Sequence, residues 1–361
     1  SMGNATTFIW AMMSALLAAA FWVNLATWVG APVSTTHSVV GGVMGAGIAA
    51  AGFAAVNWPT MGAIAASWVI SPLLGGLIAA GFLALIKSRI IYQDDKIAAA
   101  RKWVPILVGI MGGTFTAYLA LKGLKSLFKI DLPTALLIGA VIGTAIWAVM
   151  IPVIKKQSQG LENRNKSLKV LFGIPLVVSA ALLSFAHGAN DVANAVGPLA
   201  AIVQAAQSGD FVSAFSIPLW VMVIGALGIS FGLFLFGPKL IRLVGSQITK
   251  LNPMRAYCVA LSAAITVIVA SWLGLPVSST HIAVGAVFGV GFFREWDAER
   301  RIKNARLAMP DRTVYAPEER RRRKLVRRSH FMTIIAAWVV TVPAAALLSA
   351  CFFFMLNAAL G

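Results

Sequence analysis

Asp191 is the only one of twelve acidic residues that lies inside an apolar stretch of this chain. It belongs to "HGANDVANAVGP" (187–198), where Asn190 and Asn194 fall on one helical face with it. A carboxylate in that setting costs roughly 2.5–3.5 kcal/mol to insert into a membrane and marks an ion or proton pathway. With two amide oxygens and carbonyls freed where Gly188 and Gly197 let the helix open, it suits a small cation such as sodium, or a proton on Asp191. A plain helix cap is the alternative for Asp191.

A second polar pattern occurs twice. "APVSTTHSVVGGVMGAG" (31–47) and "LPVSSTHIAVGAVFGVG" (275–291) align at a spacing of 244 residues. Pro32 and Pro276 are expected to end one helix, so that Ser34, Thr35 and Thr36, and likewise Ser278, Ser279 and Thr280, open the next. Unpaired N–H groups, the positive end of the helix dipole and three hydroxyls make an anion site. Self-capping explains either row alone; two copies favour the anion. Gly41, Gly45 and Gly47, with Gly285, Gly289 and Gly291, read as close helix packing.

Three of the four histidines, His37, His187 and His281, adjoin these motifs. They are read as gating or proton-linked groups, against plain packing. No Lys or Arg lies within the apolar segments except at their edges (Lys169 and Arg255), so a bound multivalent anion needs a co-bound cation. Cation-coupled symport follows from that inventory. No catalytic or metal-binding set is read, and Cys258 and Cys351 lack metal or redox spacing and count as packing residues. Belt and core packing account for the eleven tryptophans.

The elements that position these residues are membrane helices. The chain has 361 residues, 59% hydrophobic and 12% charged, with mean hydropathy +0.84, whereas soluble domains carry about 25% charged residues. Residues 1–86 contain no Asp, Glu, Lys or Arg. Segments long enough to cross are expected near 8–29, 31–56, 61–86, 103–121, 133–154, 212–236, 254–275, 277–293 and 331–356, and 168–207 must bend, break or cross twice. The fold class is an all-α polytopic membrane protein of about ten segments with broken helices. The net charge of +18 sits in loops at 87–102, 155–169 and 294–328, the last containing "RRRRK" at 320–324. Positive charge in those places signals cytoplasmic loops rather than nucleic-acid binding.

Placing those loops inside predicts that 31–56 leaves the cell and 277–293 returns, so the turn before the first lies inside and the turn before the second outside. The C-terminus then falls outside an inner membrane. An inverted repeat results, with residues 1–86 as the remainder of the first copy, 87–169 as two extra helices and 170–361 as the second copy, including the basic loop 294–330. The partner of the Asp191 motif would fall about 56 residues ahead of Ser1, which is not Met, so a fragment is expected.

Together, "HGANDVANAVGP" and the paired PVS[ST]TH segments closely resemble the inorganic phosphate transporter (PiT) family. The resemblance implies a helical secondary transporter with an inverted repeat. It moves inorganic phosphate with sodium or protons, in some bacterial members as a neutral metal–phosphate complex. Asn190, Asp191 and Asn194 would serve the cation and part of the phosphate site, and the six hydroxyl residues would hold phosphate or ion. The partners are phosphate and the bilayer, with a homodimer allowed, nucleic acid excluded and no resident cofactor. Sulfate transport, passive anion flux and an inactive truncated chain are the alternatives; an intramembrane Ser/His/Asp hydrolase is disfavoured because no G-x-S-x-G elbow occurs, and the chain is read as no enzyme.

Overall fold

The computed structural model describes residues 5–31, 33–123, 130–208, 217–247, 252–308 and 328–360. These form eleven helices: α1 (Ala5–Val29), α2 (Thr35–Ala51), α3 (Trp58–Ile86), α4 (Lys96–Tyr118), α5 (Leu132–Gln157), α6 (Asn165–Leu171), α7 (Gly173–Ser208), α8 (Leu219–Gln247), α9 (Pro253–Trp272), α10 (Ser279–Ala308) and α11 (Arg328–Leu360). Among the described residues there is no strand. Eight of the helices are long and apolar enough to cross a bilayer. α5 and α8 turn most of their spans outward, exposing residues such as Leu137, Leu219 and Phe234. Such surface is stable only against lipid.

Two helices depart from the expected crossings. α2 has 17 residues, roughly 25 Å at about 1.5 Å per residue, short of a 30 Å core. α10 becomes charged at Arg294. More decisively, Thr36 at the start of α2 donates to the carbonyl of Val277, just before α10, at 3.1 Å. Turns on opposite membrane faces cannot touch, so full crossings of 31–56 and 277–293 are overturned. α1–α2 and α9–α10 are hairpins whose tips meet inside the protein.

The same local device builds both tips. Gly30 and Gly274, 244 residues apart, take positive φ of 81° and 72°. The chain doubles back there: Ala31 N–H bonds the Ala26 carbonyl at 2.8 Å and Leu275 N–H the Ala270 carbonyl at 3.0 Å. This left-handed glycine termination ends α1 and α9 before the prolines. The expected proline stops are thereby corrected for Pro276; Pro32 lies outside the described residues.

The tip helices are gripped by α3 and α11 through glycine. A methyl group on Gly45 would lie 2.1 Å from the Ala346 carbonyl oxygen of α11, and one on Gly289 would lie 2.1 Å from the Gly76 oxygen of α3. Gly41 meets Val342, and Gly285 meets Pro72, in the same way. Backbones this close leave no room for side chains.

The long apolar stretch 168–207 bends once, at Phe172 between α6 and α7, and α7 then runs 36 residues without opening at Gly188 or Gly197. The chain 294–308, expected as loop, continues α10 as a charged helix. Its mixed Glu and Arg composition favours helix. Residues 309–327, with the arginine run, lie outside the described residues.

Candidate functional site

Both tips point their first helical turns at the middle of α7. Ser34 and Ser278 cap those turns, accepting from the N–H of His37 and His281, each at 3.2 Å. Self-capping thus applies to these two serines. The next residue in each row does something else: Thr35 Oγ1 donates to Asp191 Oδ2 at 3.1 Å, and Ser279 Oγ to Asp191 Oδ1 at 3.4 Å. Asp191, 7% exposed, is therefore held by one hydroxyl from each tip, one per oxygen. Such bonds offset the cost of burying a carboxylate.

A second layer ties the tips together. Asn194 Nδ2 donates to Thr36 Oγ1 at 2.8 Å, and the Thr36 hydroxyl in turn donates to the Val277 carbonyl. Asn190 Nδ2 donates to that carbonyl at 2.9 Å and to Asp191 Oδ1 at 3.0 Å. The amide donors of both asparagines face protein acceptors. Their Oδ1 atoms are the chemistry left for a cation. Because α7 stays closed at Gly188, the main-chain carbonyl at this centre comes instead from Val277 in the turn before α10, where Thr36 and Asn190 both donate to it. Thr280 stands half-buried on the first turn of α10.

The three histidines separate. His187, one turn before Asp191 on α7, hydrogen-bonds Ser279 Oγ through Nδ1 and lies 3.4 Å from Asp191 Oδ2. His37 and His281 reach the hydroxyl rows only through their backbone. Their rings turn away and pack together at 4.3 Å, flanked by Trp68 at 3.8 Å from His37 and Trp338 at 3.7 Å from His281.

Trp68 and Trp338 are the residues that sequence reasoning missed. Trp68 Nε1 also donates to the Pro276 carbonyl at 3.0 Å, bracing the second tip from α3. A signal existed: "WVIS" (68–71) and "WVVT" (338–341) match at a spacing of 270 rather than 244. The difference between the two spacings falls in the charged sequence that follows Phe293, which includes the end of α10. Cys258 is buried, as a packing residue should be, whereas Cys351 is exposed on α11. No cluster of metal-ligating side chains occurs among the described residues.

Comparison with known proteins bears on the whole of this arrangement. A family model described as "Phosphate transporter family" matches residues 1–349. A Helicobacter pylori protein named "Putative phosphate permease" is 56% identical over 297 residues, covering 81% of this chain and 55% of that protein. The Arabidopsis thaliana protein "Inorganic phosphate transporter 2-1, chloroplastic" is 37% identical over 321 residues, covering 80% and 53%. The chain therefore spans about half the length of these relatives. A solved structure titled "The sodium-dependent phosphate transporter" superposes with TM-score 0.86 at 33% identity, over 99% of this chain and 82% of that one. Matches of this extent, reaching from α1 into α11 and taking in both hairpin tips and α7, mean that the chain belongs to the phosphate transporter family.

Proposed function

We propose that this chain carries inorganic phosphate across a membrane by cation-coupled symport, with the substrate held where the two hairpin tips meet α7. The observation that carries the reading is the pair of hydroxyls, Thr35 and Ser279, on the two oxygens of Asp191. The starts of α2 and α10 add N–H groups and about half a positive charge each. Phosphate would sit on those first turns, among Thr35, Thr36, Ser279, Thr280 and Asn190. Ser34 and Ser278 would shape the turns and contribute their remaining hydroxyl protons.

Asp191 beside a phosphate places like charges together in a low-dielectric setting. A cation must therefore enter with the anion, and Asp191 with the Asn194 amide oxygen is its seat. Sodium is the first candidate because the similar solved structure is titled sodium-dependent. His187, between Ser279 and Asp191, suits a gating or proton-linked role. Monoprotonated phosphate can donate to Asp191 and sulfate cannot, which favours phosphate.

The duplicated contacts support an inverted repeat. Each tip helix is gripped by the helix that follows the other tip, Gly45 by α11 and Gly289 by α3. With the basic segments at 87–102 and 155–169 on the cytoplasmic side of an inner membrane, α9–α10 enters from the cytoplasm and α1–α2 from outside. Alternating access would then rock one hairpin against the other around the shared site.

The test is labelled phosphate uptake into proteoliposomes containing the chain, under imposed sodium or proton gradients. Saturable uptake that needs one gradient is expected. Uptake unchanged after both gradients are collapsed would refute coupling, and equal competition by sulfate would refute the phosphate preference.

A further inference from the structure

The two tips are built alike, yet their bracing differs. Trp68 stands one turn before Pro72, which meets Gly285 of α10, and Trp338 stands one turn before Val342, which meets Gly41 of α2. Each indole therefore sits beside the grip of its own helix on a tip helix. The rings form one continuous row, Trp68–His37–His281–Trp338, with centroids 3.8, 4.3 and 3.7 Å apart. Helices α3, α2, α10 and α11 supply them in that order, so a ring from one gripped pair always touches a ring from the other. No ring nitrogen of either histidine has a hydrogen-bond partner. The histidine rings are thus held by packing and can turn without breaking a directional bond.

The ends of the row are where the copies differ. Trp68 Nε1 donates to the Pro276 carbonyl at 3.0 Å, and its ring meets His37 edge-on, at an interplanar angle of 65°. Trp338 Nε1 is buried without a hydrogen-bond partner, and its ring lies nearly flat on His281, at 21°. A buried indole N–H without an acceptor is costly. By the 244-residue spacing, the acceptor that corresponds to the Pro276 carbonyl belongs to the turn before α2, the tip helix that α11 grips.

We propose that Trp68 and Trp338 are positioning residues for transport that brace the two tips in turn, Trp68 holding the turn before α10 in this state and Trp338 the turn before α2 in the opposite state. The inference rests on the transport reading and its alternating hairpins. When two like repeats take turns, each adopts in one state the arrangement that the other holds in the opposite one. Rings in contact cannot reorient independently, so one indole engaging its tip bears on the other through the histidine pair. A plain packing role for Trp338 gives a different expectation, because removing its N–H would then cost no hydrogen bond.

The experiment places spin labels on the exposed positions Leu77→Cys of α3 and Leu347→Cys of α11, in a Cys351→Ser background, and measures their distance distribution in nanodiscs by double electron–electron resonance. Trp68→Phe should deplete the distance that matches this structure by about fivefold relative to the alternative, the worth of one hydrogen bond. Trp338→Phe should enrich it by a similar factor, although it removes no bond present here, and the double variant should return near the native ratio. Leucine replaces either tryptophan if a Phe variant fails to fold, with the same signs expected. Shifts in the same direction, a silent Trp338→Phe, or one unresponsive distance in every variant would each overturn the proposal. The labels are read without phosphate, so failure of the native chain to bind phosphate would defeat the transport reading, whereas the signs of these shifts decide the bracing.

Discussion

Thr35 and Ser279 stand 244 residues apart in the chain and donate to opposite oxygens of the same carboxylate, Asp191. This convergence joins the two repeated motifs to the single acidic motif, and it makes the polar centre a property of three helices at once.

Because both hydroxyls act on one carboxylate, their removal should be coupled. Thr35→Val and Ser279→Ala are each expected to weaken phosphate uptake by about 1 kcal/mol, or roughly fivefold in apparent affinity. The double variant should depart from additivity by about 0.5–1.5 kcal/mol. A double-mutant cycle on uptake KM checks this. Strict additivity would mean that the two residues do not share Asp191 in the working protein.

The Thr36–Val277 bond fixes the meeting of the tips. Thr36→Val keeps the shape but leaves Asn194 without its acceptor and Val277 with one donor fewer. A loss of about 1–3 kcal/mol in stability is expected, read as a lower Tm in detergent. An unchanged Tm would place the tips apart.

The glycine contacts predict a sharp positional contrast. Gly289→Ala puts a methyl group 2.1 Å from a backbone oxygen of α3, and Gly45→Ala does the same against α11. Each should destabilise by at least about 1–3 kcal/mol as the helices are forced apart. Gly228→Ala, in open space on α8, should be neutral or slightly stabilising. Melting of the three variants decides it.

Much of the centre was legible because polar residues stand out in apolar sequence. Asp191, its two asparagines and the hydroxyl rows could be found that way, and the structure brings them together. The hairpins were not legible as hairpins, since a helix that stops midway has the same apolar composition as one that crosses. The Val277 carbonyl leaves no trace in side-chain type. Trp68 and Trp338 were hidden by the change of spacing between the two copies and by the abundance of tryptophan at membrane interfaces. The closed course of α7 through Gly188 reflects packing against α1 and α9, which outweighs a glycine's weak helix preference.

At the charged end of α10, Asp297 accepts from Lys87 Nζ at 2.6 Å and from the Tyr92 hydroxyl, while Arg301 lies 4.0 Å over the Tyr92 ring. Burial alone would raise the Asp297 pKa; the hydrogen bonds from Lys87 and Tyr92 and the charges of Lys87 and Arg301 outweigh it, and the net shift is downward from 3.8. Burial and the bond to Asp297 push the Tyr92 phenol up. A depressed carboxyl pKa stabilises the folded state above the ordinary value, and that stability fades as pH falls below 3.8 through the lower folded value. Asp297→Asn should lower stability near neutral pH and flatten the acid limb of the Tm profile. An unaltered acid limb would show that the Lys87 link contributes nothing.

The most direct test of the central claim is equilibrium binding of labelled phosphate to the purified chain, with and without sodium, in the native sequence and in Asp191→Asn. The account predicts saturable binding that requires sodium and falls at least about tenfold in the variant. Binding that is indifferent to sodium and unchanged by Asp191→Asn would contradict it, because the carboxylate that both tips hold would then play no part in the site.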